Sequence, residues 1–174
     1  MTAITDRQLA YVIWQNRATR FYLAARRLHQ SNLFAPAAYC SFLSIELLLK
    51  ATLIYWDKAF APEDAAHGVA KMARMVTNKV PEAKNFKVPT YFYHDQGFLS
   101  ISRYPRNGKG TFIPGTLLLD LDELFAALIA LVPSKHSTEL KKILKGKSRS
   151  ELNILRKGNA SIKQLRQVLD VQIC

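Results

Sequence analysis

The sequence predicts an all-α protein: an antiparallel bundle of four to five helices with a short β-hairpin insertion and a basic C-terminal helical extension. Three observations predict it. Apolar residues recur at alternating spacings of three and four over long stretches. One stretch of some twenty residues is apolar on nearly every side, as a central helix is. One interval rich in Gly, Pro and aromatic residues alternates with a period of two, as a strand does.

The first helix is expected from Thr5 to Gln30, because Thr5 and Gln8 have capping-box spacing and Tyr11, Trp14, Ala18, Phe21, Ala25 and Leu28 form one apolar stripe. Arg17, Arg20 and Arg27 share another face of that helix. Ser31 and Asn32 then cap a second helix that runs to about Trp56, with Pro36 in its first turn, where a missing N–H costs little. Its apolar residues point in almost every direction, so neighbouring helices or a second subunit must cover it, and a two-fold homodimer is the commonest solution. A third helix is expected to begin near Ala61–Asp64, to turn Val69, Met72, Ala73 and Val76 inward, and to stop before Pro81.

Between Lys87 and Gly115 the chain alternates from Phe98 to Tyr104, with a turn at Asn107–Gly110 and a return strand at Thr111–Ile113. Helix resumes at Asp120 or Asp122, where acids suit the positive end of the helix dipole, and ends before Pro133. Beyond it, Leu140, Ile143, Leu144, Leu152, Ile154, Leu155, Ile162, Leu165, Val168 and Leu169 predict short amphipathic helices separated by Gly146 and Gly158. The chain therefore divides into a bundle at 1–132 and a basic extension at 133–174. If Ile162, Leu165 and Leu169 pack on the bundle, their helix is structural; if exposed, it is a docking helix.

Charge is the unusual feature of the composition. The 174 residues carry 25 Lys and Arg against 13 Asp and Glu, a net charge of +12. Ten of those cations and three of the acids lie in the last 42 residues. Such an excess favours polyanionic partners, either nucleic acid or an acidic surface. Two cysteines make no disulfide framework, the N-terminus lacks the apolar core of a secretory signal, and Glu46 and Lys50 interrupt the most apolar run, so a cytoplasmic protein without a membrane span is expected.

The four histidines and two cysteines are scattered, with no spacing that sets two metal ligands on one face, and neither a P-loop nor a nucleophile elbow is present. No metal, cofactor or catalytic residue is therefore assigned. Glu46 stands among Ile45, Leu47, Leu48 and Leu49, where a carboxylate needs a cation or water, and Lys50 is one turn away. Glu46, Lys50, His67 and His94 are candidates for a polar cleft. For contact with a phosphate backbone the candidates are Arg17, Arg20 and Arg27 on the first helix; Arg103, Tyr104, Arg106 and Lys109 on the hairpin; and Lys141, Lys142 and Lys145 in the extension.

Several segments together resemble the HEPN superfamily of small helical bundles. They are Ala37–Ile54, AAYCSFLSIELLLKATLI, with Glu46 and Lys50 four apart; His67 and Gly68 opening a short helix; and Ser102, Arg103, Tyr104 and Pro105 ahead of the Leu- and Asp-rich helix. The likeness covers about residues 5–132. It implies four or five helices, dimerisation, and a place among RNA-cleaving toxins, partners of minimal nucleotidyltransferases, or defence systems. The family's ribonuclease motif, an Arg followed after four to six residues by a His, is not found at any of the four histidines, and Lys87 stands where that Arg would precede His94. A non-catalytic RNA- or nucleotide-associated module is thus expected. The alternatives are a ribonuclease toxin with an altered site around Glu46, His94 and Arg103, and an interaction subunit binding an acidic partner.

Overall fold

The computed structural model describes residues 6–65, 67–93, 113–132 and 138–169. Among them are seven α-helices and no strand: α1 Asp6–Gln30, α2 Phe34–Trp56, α3 Val69–Lys79, α4 Leu117–Ala130, α5 Glu139–Leu144, α6 Arg149–Arg156 and α7 Ile162–Val168. The expected hairpin falls at residues 98–113, outside the described residues except for its last one.

The first two helices form an antiparallel hairpin against which α3, α4, α5 and α6 pack. Ser44 donates from its hydroxyl to the carbonyl of Ala18 at 3.0 Å, and Tyr11 meets Tyr55 edge-on with ring centroids 5.5 Å apart. Both contacts lie on an inward row of α1 made of Tyr11, Gln15, Ala18, Tyr22 and Ala25. Trp14, Phe21 and Leu28, expected on that row, are only half-buried, because Tyr22 rather than Phe21 points at the centre. The turn between the helices has Asn32 at φ 59, a left-handed conformation that Asn tolerates. No side chain caps α2, so the capping expected of Ser31 and Asn32 is replaced by the turn's own backbone bonds.

Residues Ala37 through Ile54 of α2 are buried apart from Tyr39, Cys40 and Leu43, and α1, α3 and α4 of the same chain supply the cover. The covering expected of a second subunit is in large part internal. Helix α2 is long and apolar enough to cross a membrane by length and composition, yet most of it lies inside this bundle. Its last turn is tied to the end of α4 by the Trp56 indole N–H, which donates to the Leu131 carbonyl at 2.7 Å.

Val69, Met72, Ala73 and Val76 of α3 point inward as expected. Pro62–Ala65 forms a separate 3₁₀ turn, so α3 starts later than the acids near 63 suggested. Helix α4 instead starts earlier, at Leu117, because Leu117 and Leu121 are both wanted in the core. Asp120 remains in the first turn, but Asp122 does not: it is 1% exposed and faces α1.

Asp122 is the centre of a buried polar network. The Arg26 guanidinium, fully buried, donates from one terminal nitrogen to both Asp122 oxygens, from Nε to the Ile154 carbonyl at 3.0 Å, and from its other terminal nitrogen to the Lys157 carbonyl. The Tyr22 hydroxyl donates to Asp122 at 2.6 Å and accepts from the Asn159 amide at 2.9 Å, while its ring stacks on Phe125 at 3.9 Å. Burial pushes the Asp122 carboxyl up from its ordinary value, with Arg26 and then Tyr22 pulling it back down. The Tyr22 hydroxyl is held well above its usual range, first by burial and then by the Asp122 charge.

Through this network the basic extension joins the core. Leu140, Ile143, Leu144, Leu152, Leu155, Leu165 and Leu169 are buried in the same apolar cluster as α1, α2 and α4. Helix α7 is therefore structural rather than a free docking helix: Leu165 and Leu169 are buried, with Ile162 half-buried beside them. Gly146 and Gly158 sit at φ 80 and φ 67, the left-handed region where a side chain is strained, and each ends one short helix.

Two predictions follow from the network. Asp122→Asn leaves a desolvated guanidinium without its counter-charge and lowers stability by about 3–5 kcal/mol in urea denaturation, whereas Arg26→Met with Asp122→Leu costs less than the two single changes summed. Tyr22→Phe removes the only proton in this network that must be lost in alkali. With its folded pKa raised, Tyr22 contributes stability below about pH 10 that disappears as pH rises, by about 1.4 kcal/mol per pH unit above 10, so the stability gap between wild type and Tyr22→Phe narrows between pH 9 and 11.

Candidate nucleic-acid interface

Among the described residues, α1 and the C-terminal arm together build one basic side. Arg17, Arg20 and Arg27 are exposed along α1, on the face opposite its buried row. Against the flank of that helix lies α5, whose first residue is fixed twice: the Glu139 N–H donates to the Asn16 side-chain carbonyl at 3.0 Å, and Arg20 Nε reaches both Glu139 oxygens at 3.1 and 3.0 Å. Thr138 caps α5 by accepting from the Lys141 N–H.

Helix α6 continues along α1 in the same direction. Glu151 in its first turn acts electrostatically on Arg20. At its other end the Ile154 carbonyl accepts from both Arg26 and Gln30, and the Lys157 carbonyl accepts from Arg26. Two groups of cations more than a hundred residues apart in sequence are thereby brought to one side.

On the arm, Lys142, Lys145, Lys147, Arg149, Arg156, Lys157 and Lys163 are exposed, while Lys141 is half-buried. Between residues 138 and 169 nine Lys and Arg face only Glu139 and Glu151. Glu139 is already committed to Arg20, so the local field is strongly positive. Arg20 differs from its neighbours Arg17 and Arg27 because its Nε is engaged, which makes it a brace for the arm as well as a surface cation. Lys147, Arg149, Arg156, Lys157 and Lys163 were not singled out from sequence; the charge density of the segment was the available signal. Arg103, Tyr104, Arg106, Lys109 and His94 lie outside the described residues.

The polar residues expected in a cleft form a separate cluster. Lys50 Nζ lies 2.8 Å from Glu46 Oε1, both side chains nearly fully buried, and the lysine cation stands 5.4 Å from the centre of the Trp14 ring. His67 Nδ1 lies 3.1 Å from each Glu46 oxygen, and 73% of that side chain is exposed. A carboxylate has no proton to donate, so Nδ1 carries the hydrogen and the imidazole closes over the buried pair. Glu46 thus has both oxygens engaged, by Lys50 and His67, and the cluster pins the start of α3 to the middle of α2. Sequence spacing revealed the Glu46 and Lys50 pair; the contact with His67, 21 residues away, needed the fold.

A cavity of about 280 Å³ between residues 85–89 and α4 is lined by Lys87, Asp120, Glu123, Phe86 and Leu124, among others. Asp120 there accepts from the Tyr91 hydroxyl at 2.7 Å. Two carboxylates and one lysine make it a poor place for a phosphate.

No family model, no curated protein and no solved structure matches the chain.

The polar cluster yields a contrast between two variants. Glu46→Gln removes the counter-charge from buried Lys50 and costs about 3–5 kcal/mol. His67→Ala deletes an exposed partner and costs less than about 1 kcal/mol. Urea denaturation of the two proteins beside wild type measures both.

Proposed function

We propose that this chain is a non-catalytic, HEPN-like module that associates with RNA, of the kind that serves toxin–antitoxin or defence systems. The observation that carries the reading is the joining of the arginines of α1 and the cations of the C-terminal arm on one side of the bundle, held there by Glu139 and Arg26. The seven exposed Lys and Arg of the arm, set beside Arg17 and Arg27, match a phosphate backbone, whose contacts position a protein without reading sequence. The resemblance adds Glu46 and Lys50, which form one cluster here with His67. The Glu46 and Lys50 charges satisfy one another, and no Arg stands four to six residues before His67 as the family's ribonuclease motif requires, which favours binding over cleavage.

The test incubates the pure protein with labelled single-stranded and structured RNA at two salt concentrations and reads binding and strand integrity in the same tubes. Binding that weakens steeply with salt while the RNA stays intact is expected. Lys142→Glu with Lys145→Glu weakens it and lowers the slope of log affinity against log salt by about one for each lost phosphate contact, while Lys84→Glu, at the end of the 3₁₀ turn packed on α3, has a smaller effect. RNA cleavage by the wild type, or binding that ignores salt, contradicts the reading.

A further inference from the structure

The turn between α1 and α2 presents two large apolar side chains to solvent, Leu33 at 50% and Phe34 at 44% exposure. Their positions are fixed. The Leu33 N–H donates to the Leu28 carbonyl at 2.9 Å, the Asn32 N–H to His29 at 3.0 Å, and the Ser31 N–H to Arg27 and Leu28. The His29 ring meets Phe34 edge-on, centroids 5.1 Å apart and planes 75° from parallel, so the phenyl ring is held rather than swinging freely.

This end of the bundle is also basic. Arg27 is exposed one turn before the loop, and the hydrogen bonds of Arg26 and Gln30 to the Ile154 and Lys157 carbonyls bring exposed Arg156 and Lys157 to the same end. An exposed, oriented aromatic ring beside free cations is the arrangement that single-stranded nucleic acid uses, with bases on the ring and phosphates on the cations. A second copy of the chain at this place would set like charges against one another.

Resting on the RNA reading above, we infer that the α1–α2 turn is a stacking platform for an unpaired nucleobase. Phe34 takes the base, while Arg27, Arg156 and Lys157 take the flanking phosphates. The RNA class is therefore single-stranded or looped rather than fully paired, because a base inside a duplex has no free face to offer.

The experiment uses the full chain with four probes: single-stranded oligoadenylate, a duplex of equal length, heparin, and phosphatidylserine vesicles. Phe34→Ala is expected to weaken oligoadenylate binding about tenfold while duplex and heparin binding stay unchanged, and Phe34→Tyr, which keeps the ring, to bind as wild type does. Far-UV circular dichroism verifies that both variants fold. Unchanged oligoadenylate affinity in Phe34→Ala overturns the platform while salt-sensitive heparin and duplex binding leave the RNA reading standing. A Phe34-dependent loss of vesicle binding, or a changed oligomeric state, with oligoadenylate unaffected, overturns it in favour of a lipid surface or a second copy. Failure of wild type to bind any polyanion removes the RNA reading and the platform with it.

Discussion

The Arg26 and Asp122 pair, desolvated at the centre of the molecule, is the contact on which the rest of this structure depends. Burying two charges is expensive, and the cost is offset only where every polar atom finds a partner. Here the guanidinium is engaged through all three nitrogens, and the carboxylate also receives the Tyr22 hydroxyl. Such a pair adds little net stability over apolar residues of the same volume, but a chain that fails to bring its partners together leaves a naked charge inside. It acts as a registration device. Residues 26, 122 and 154–159 belong to three separate segments, and only one docking of those segments satisfies them all.

The consequence for the surface is large. Leu140, Leu155 and Leu165 would hold the C-terminal arm against the bundle by burial alone, yet apolar contact is tolerant of sliding. Directional bonds from Arg26 and Gln30 to specific carbonyls, and from Glu139 to Arg20 and Asn16, fix where the arm lies. The cations of α5 and α6 then stand beside Arg17 and Arg27 instead of trailing from the bundle as a separate basic tail. A field made by fixed charges on one side is a better match to a rod of phosphates than the same charges on a mobile segment, because less ordering entropy is lost on binding.

Much of the fold was legible in the sequence because helix periodicity reports the face that is buried. The extent of α1 and α2, the inward residues of α3 and the glycine-separated short helices of the arm all follow from apolar spacing and from Gly146 and Gly158. The start of α4 did not, since acids near a helix start read as a first turn, and Asp122 is acidic for another reason. Arg26 sits one turn beyond Tyr22 on the buried row, where an arginine among apolar residues signals an internal partner. That partner lies 96 residues away, so local sequence could not name it. The same limit applied to the site. Glu46 and Lys50 were readable as an intrahelical pair, and Arg17, Arg20 and Arg27 as an exposed face, but the joining of that face to the arm is a property of tertiary structure.

Amide hydrogen exchange of the wild-type chain, with and without saturating single-stranded RNA, tests this account most directly. If the buried pair assembles α1 and the arm into one interface, RNA slows exchange in two separated peptides together, the second half of α1 and the region 139–163, and leaves α3 unchanged. Protection confined to one of those peptides, or found only on α3, would contradict the single basic side and with it the role assigned to the Arg26 and Asp122 pair.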